Sequence, residues 1–224
     1  MELVRATALT RTYRLGRVAV PGLRGVDLSV SRGEILAITG PSGCGKSTLL
    51  HLLGGLDRPT GGELEVGGVD LVRAPERARV GLRRELVGFV FQRFNLLPTL
   101  TALGNLELAA RIKRLRGAPA QPRALSVLLD RVGVGAKASA RPAEMSMGEQ
   151  QRVAIARALV GSPPLLLADE PTGSLDSENA RRVLDLLAEL NHALGQTIVL
   201  VTHAPEAAAS AGRTVSMRDG RIIE

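Results

Sequence analysis

A chain of 224 residues and 23.6 kDa, 45% hydrophobic and 23% charged, has enough apolar mass for a real core, which excludes intrinsic disorder, a collagen-like repeat and a coiled-coil rod. No apolar run approaches the roughly 18 residues of a membrane-spanning helix, and Arg5, Arg11, Arg14 and Arg17 occupy the stretch where a secretion signal would need an apolar centre. The net charge of +7 invites a nucleic-acid partner, yet one Tyr, three Phe and no Trp are too few for a base-stacking surface; the basic residues are overwhelmingly Arg and read as a coding bias, so no nucleic acid is expected.

In chain order, residues 26–30 alternate apolar and polar as a half-buried strand, turn at Ser31-Arg32-Gly33, and lead into a buried strand over 34–39. That strand runs directly into a glycine-rich loop. Leu49, Leu50, Leu52, Leu53 and Leu56 then recur at helical spacing until Gly54-Gly55 and Pro59 break the pattern. Further strands are expected at 63–66, 87–91, 164–169 and 197–202, with 214–217 turning at Asp219-Gly220 into 221–224. From 93 to 160 the pattern is almost wholly helical, interrupted at 117–122 and 133–142. The very apolar strands at 34–39, 164–169 and 197–202 suit a parallel sheet covered on both faces, and the alternating ones near the N-terminus an antiparallel piece. The expected organisation is α/β: one domain over 1–224, with a core from 1–92 and 161–224 and a helical subdomain at 93–160.

The sharpest motif is Gly40-Pro41-Ser42-Gly43-Cys44-Gly45-Lys46-Ser47-Thr48, the G-x4-G-K-S phosphate loop, placed between a strand and a helix. Its glycines let backbone N–H groups curl around a β-phosphate, Lys46 brings charge toward the β- and γ-phosphates, and the Ser47 hydroxyl can bind Mg²⁺. Alone it says only that a nucleoside triphosphate binds. The apolar strand 164–168 ends in Asp169 and Glu170, at the edge where open α/β sheets hold ligands. Asp169 suits the Mg²⁺ shell and Glu170 a general base polarising water; a helix-capping acid pair is the plainer alternative. Ser146 and Glu149 have capping-box spacing at the start of the helix 150–160, and a Ser hydroxyl with the Gly148 N–H at a helix start is also an anion site. The lone Cys44 cannot form an internal disulfide and points to a reducing compartment.

Taken together, residues 40–48, Gln92, Met145-Ser146-Met147-Gly148-Glu149-Gln150-Gln151-Arg152, 165–170, Ser174-Leu175-Asp176 and His203 occur in the order of the ATP-binding subunits of ABC transporters, and the resemblance spans essentially the whole chain. It implies a phosphate-loop NTPase fold, with a RecA/F1-like parallel sheet core, an N-terminal antiparallel β subdomain and an α-helical subdomain. It also implies ATP hydrolysis with Mg²⁺: Gln92 senses the γ-phosphate through the metal and water, His203 contacts the γ-phosphate, Tyr13 stacks on adenine, and Cys44 is a frequent occupant of the loop. Two copies are implied to pack head to tail, each ATP lying between the loop of one and Ser146 and Gly148 of the other, with Asp176 communicating across the interface. The pair would sit on two transmembrane permease subunits at the cytoplasmic face of the inner membrane, held there only through them.

Residues 87–101, 56–60 and 201–206 resemble the macrolide-exporter and lipoprotein-release branch, which points to export or extraction; an ABC ATPase of the cell-division type is the alternative. Relatives acting on DNA insert long coiled coils between the two nucleotide motifs, and the interval from Lys46 to Asp169 leaves no space for one. The apolar stretch 94–97 is the candidate docking patch for a coupling helix. Two departures stand out: Met147 replaces the usual first Gly of the signature, which weakens the ATP-bound dimer if that position needs φ > 0 or close backbone approach, and Ala204 stands where an acid commonly follows the histidine.

Overall fold

The computed structural model describes residues 1–113 and 122–223. Its first layer is an antiparallel sheet in the order β2-β1-β4-β5, made of β1 (Glu2–Leu15), β2 (Val18–Ser31), β4 (Gly61–Val66) and β5 (Val69–Asp70). Only 26–30 and 63–66 of this sheet are legible in the sequence. The register of β1 against β2 shifts four times, and Ala8 sits at φ +46°, so the two-residue alternation that marks a strand is broken along its length.

The second sheet has the order β10-β9-β3-β8-β7-β6 and comprises β3 (Ile35–Thr39), β6 (Val87–Val90), β7 (Leu165–Asp169), β8 (Thr197–Val201), β9 (Arg213–Arg218) and β10 (Arg221–Ile222). All neighbours pair in parallel except the terminal hairpin β9-β10, which turns at Asp219-Gly220 as expected. Its two faces feed two apolar clusters. Leu36, Ile38, Leu165, Leu167, Val199 and Val201 pack toward the antiparallel sheet and α1 (Lys46–Leu53). Ala37, Leu166, Ala168, Ile198 and Leu200 pack toward α3 (Ala102–Ile112), α4 (Pro122–Arg131), α5 (Met147–Leu159) and α6 (Ser177–Leu194). Burial on both faces is why these strands read as unbroken apolar runs. α2 (Glu76–Glu85) and α7 (Pro205–Ala209) complete the described helices.

Between 93 and 160 the structure is less helical than the pattern suggests. Residues 93–101 are irregular, with Phe94 at φ +48° and Asn95 at φ +52°, and the buried Asn105 holds this loop: its Oδ1 accepts from Leu97 N at 2.8 Å while its Nδ2 donates to Thr101 O at 2.9 Å. The apolar residues here pack inward instead of continuing a helix. Phe94 and Leu96 are half-buried and only Leu97 is substantially exposed, so 94–97 is not the apolar patch expected from sequence. The expected break at 133–142 is real and holds a short 3₁₀ turn, Gly135–Lys137, with a second, Pro142–Glu144, at its end. The break at 117–122 lies outside the described residues except for Pro122, the first residue of α4. Among the described residues no helix is long and apolar enough to cross a membrane.

Candidate functional site

A cleft of about 760 Å³ opens where β3, β7 and β8 end. Its floor is the loop 40–45, which must bend sharply to leave β3 and start α1. Gly40 has φ +143°, and a Cβ there would lie 2.2 Å from the Met217 carbonyl oxygen, so no larger residue fits. Gly45 caps α1 with no side-chain hydrogen bond to the helix start. Lys46, only 8% exposed, folds back over the loop and donates from Nζ to Gly40 O at 2.7 Å and Pro41 O at 2.9 Å. Among the described residues the ammonium therefore sits over the loop without a carboxylate in ion-pair contact.

β7 delivers the acids from the opposite wall. Ser47 Oγ donates to Asp169 Oδ1 at 3.2 Å, and burial of the carboxyl raises the Asp169 pKa, the Ser47 hydroxyl pulling it back only in part. Glu170 is left-handed at φ +47°, its N–H donating to Val201 O at 2.9 Å and its carbonyl closing a turn with Gly173 N at 3.0 Å. This strained turn aims the carboxylate into the cleft. His203, just past β8, places Nδ1 2.8 Å from Glu170 Oε1, and Nε2 has no hydrogen-bond partner among the described residues. Glu170 thus supplies the orienting acid that Ala204 does not. Gln92 follows β6 and lines the same cleft, its carbonyl accepting from Ser174 Oγ at 3.4 Å.

Tyr13 edges the cleft beside Val20, Pro21 and Gly22. Its ring carries the Arg11 guanidinium 4.5 Å from the centroid and its hydroxyl donates to Asp57 at 2.9 Å. Burial pushes the Asp57 pKa up, but the Arg58 N–H, the Tyr13 hydroxyl and Arg11 outweigh it and hold the carboxyl below its usual value. The cleft thus gathers Tyr13, Gly40, Ser42, Gly43, Gly45, Lys46, Ser47, Thr48, Gln92, Asp169, Glu170 and His203. Sequence reasoning missed Val20, Pro21 and Gly22 because the β1-β2 hairpin that carries them is not legible as strand.

Five further residues expected to meet nucleotide, four of them from the signature helix start and the following segment, do not line this chain's cleft. Cys44 is 5% exposed and turned into the core beneath the loop. Ser146, Gly148, Glu149 and Asp176 do not line the cleft; they form two other helix starts. At α5 the capping box is complete: Ser146 Oγ accepts from Glu149 N at 3.2 Å and Glu149 accepts from Ser146 N at 2.8 Å, a bond that draws its carboxyl below the ordinary range. Met147 is the first residue of α5 and 53% exposed; it is not among the left-handed residues, so it needs none of the freedom of glycine. At α6 Asp176 accepts from Asn179 N at 2.8 Å, which lowers its pKa, and Asn179 Nδ2 donates to its second oxygen at 2.7 Å.

The donor set suits a nucleoside triphosphate and a hard cation: an uncapped helix start, a buried ammonium, and the oxygens of Ser47 and Asp169 side by side. Among the described residues no group of three or more His, Cys, Asp or Glu is placed to hold a metal ion by itself, so a cation here would be completed by phosphate oxygens and water, as Mg²⁺ commonly is.

Residues 23–173 match the sequence pattern of the family described as ABC transporter. The chain belongs to that family. It is 45% identical over 96% of its length to an uncharacterized ABC transporter ATP-binding protein of Bacillus subtilis, covering 93% of that protein. It is 47% identical over 98% of its length to the lipoprotein-releasing system ATP-binding protein of Anaeromyxobacter dehalogenans, covering 92% of it. A macrolide export ATP-binding/permease protein of Rhodospirillum rubrum is 46% identical over 99% of this chain, which spans only 34% of that longer protein. Among solved structures, the dimeric post-hydrolysis state of an ATP-binding cassette bound to ADP and Pi superposes with a TM-score of 0.90 at 40% identity, covering 99% of this chain and 97% of that one. This ABC protein therefore has the phosphate-loop fold expected from sequence, and its activity is ATP hydrolysis in the service of transport.

Proposed function

We propose that this ABC ATPase works as one of a pair of identical subunits mounted on two permease subunits, each ATP held between the cleft of one copy and Ser146 and Gly148 of the other. The observation that carries this reading is the split site: the cleft holds Lys46, Ser47, Asp169, Glu170 and His203, while the second anion-ready helix start, at α5, is absent from it. A second copy supplies the missing helix start. Nucleotide then becomes part of the interface, and its hydrolysis opens it.

Within one half of the site each residue has a task its geometry permits. The loop N–H groups and Lys46 hold the β- and γ-phosphates, and Tyr13 stacks on the base. Ser47, Asp169 and Gln92 would hold Mg²⁺, which would supply charge neutralisation at the phosphates. Glu170, held by His203 Nδ1 at 2.8 Å, takes the proton of the attacking water, and His203 Nε2 is left for the γ-phosphate.

Export or extraction of cargo, with the chain peripheral on the cytoplasmic face of the membrane through its permease, is the reading that the exporter-like and lipoprotein-releasing relatives favour over cell division. For permease docking, the segment 94–97 gives way to the groove beside it, about 430 Å³ and floored by Val87, Phe89, Phe91 and Ile112. The test is Glu170→Gln: turnover falls by roughly 10²–10⁴-fold while ATP still binds, and MgATP accumulates a dimer visible by light scattering. Turnover like that of the unaltered protein removes Glu170 as the base; a monomer at saturating MgATP removes the shared site.

A further inference from the structure

We infer that Gln151 is a positioning residue for Glu170, a step that rests on Glu170 being the base that activates water. Gln151 lies one helical turn beyond Gly148 on α5 and is 0% exposed. Its Nε2 donates at 2.7 Å to the carbonyl of Pro171, the residue that follows Glu170. Glu170 occupies the left-handed region at φ +47°, where a β-carbon is crowded, and holds that conformation only because its surroundings over-determine it. Three bonds do so: Glu170 N to Val201 O from the β8 side, Gly173 N to Glu170 O across the turn, and Gln151 to Pro171 O from the α5 side. Only the third comes from the helix whose start carries Ser146 and Gly148.

The other half of the Gln151 amide argues against a purely stabilising role. Oε1 is buried and accepts from no group among the described residues. A buried amide oxygen without a donor costs stability, and an apolar side chain of the same length would fill the space without that cost. An amide half-satisfied in the core is explained by what its satisfied half holds. A second tie runs beside it: Asn179, anchored to Asp176, stands so close to Gly148 that a Cβ there would meet its Oδ1 at 2.2 Å. The start of α5 and the segment 170–179 therefore move together. A phosphate engaged by Ser146 in one half of the dimer is linked, through Gln151, to the carboxylate that serves the other half.

The experiment uses the full chain with Gln151→Met, which keeps the length and removes the donor. ATP hydrolysis is measured for kcat and KM, melting temperature by calorimetry, and MgATP-driven dimerisation by light scattering in the Glu170→Gln background. The expected result is a kcat lowered by roughly 10–100-fold with KM within about twofold, an undiminished melting temperature and an intact dimer, since displacing a reacting group by about 1 Å can cost on the order of 10²-fold. A kcat like that of the unaltered protein overturns the inference, as does a loss matched by a lower melting temperature, a higher KM or a lost dimer, the signature of a structural role. Gln151→Asn, whose amide falls one methylene short, is the companion: the same split between kcat and KM supports positioning, unchanged kcat refutes it, and it decides the matter if Gln151→Met does not fold. Glu170→Gln alone separates the two claims: if it retains turnover the proposed base is wrong, whereas if it is inactive and both Gln151 variants turn over normally, only the positioning role falls.

Discussion

The starts of α1 and α5 present two phosphate-ready helix ends with opposite wiring. At α1 the cap is Gly45, which offers no side chain, so the first-turn N–H groups and the Lys46 ammonium stand open to an anion. At α5 the cap is closed on itself, Ser146 and Glu149 satisfying each other, and the ionised Glu149 carboxylate already complements the helix dipole. One helix end is open to a phosphate as it stands. The other must exchange part of an internal cap for a phosphate and do so beside a negative charge, so its contribution is conditional on an anion already held by another surface. The proposed dimer would, on that inequality, close only on nucleotide.

Lys46→Ala breaks the ready end and carries the largest expected effect. Among the described residues Lys46 donates only to loop carbonyls and to the Cys44 sulfur, so no carboxylate ties up its donors and they are open to a ligand. Two charge-assisted bonds to phosphate are worth roughly 3–5 kcal/mol, and ATP affinity by calorimetry should fall by at least about 10²-fold. Unchanged affinity would leave the ammonium without a role.

A second lysine lies far from the cleft and has no phosphate to meet. Lys113, at the end of α3, also donates, among the described residues, only to main-chain carbonyls, Val87 O at 3.4 Å and Ala158 O at 3.3 Å, and burial pushes its pKa down to about 8. Since the unfolded chain binds this proton more tightly, the burden is full below pH 8 and is lifted as pH rises from there toward 10.5. Lys113→Met should therefore stabilise the fold at pH 7 by about 1–3 kcal/mol, with the advantage shrinking by pH 10 in denaturant titrations. A variant less stable than the parent at pH 7 would mean that the two carbonyl bonds outweigh desolvation.

Gly148→Ala attacks the conditional end through its packing. The new Cβ would stand 2.2 Å from Asn179 Oδ1, and Asn179 is held by Asp176, so α5 or the start of α6 must give way. The expected cost is about 1–3 kcal/mol in unfolding free energy. Adding Asn179→Ala should recover most of it. Failure of the double variant to recover would place the obstruction elsewhere.

How much of this was readable beforehand follows from where the information lies. β3, β7 and β8 are buried on both faces and announce themselves as apolar runs, and the phosphate loop and the Asp169-Glu170 pair lie at their ends, so most of the cleft is local in sequence. β1 is bulged and rich in Thr, Ala and Arg, which hides both the hairpin and the Val20-Pro21-Gly22 wall it brings to Tyr13. The loop 93–101 reads as helix because its apolar residues are frequent, while its real anchor is one buried amide, Asn105. Gln151 is invisible for the same reason: a single long-range hydrogen bond leaves no period in the chain.

Ser146→Ala is the mildest test and separates the two helix ends most cleanly. It removes the hydroxyl that accepts from Glu149 N at 3.2 Å, so the fold should lose about 1 kcal/mol, the ordinary worth of a helix cap. Ser146 does not line the cleft, so the affinity of a single copy for ATP, measured at concentrations too low for pairing, should not change. The MgATP dimer of the Glu170→Gln background should loosen by more than the lost cap explains, because each dimer carries two such contacts, each about 1 kcal/mol or more when the acceptor is charged. Weakened binding in the isolated copy would put Ser146 on the same phosphate as Lys46 within one chain, and the case for a site shared between two copies would fail with it.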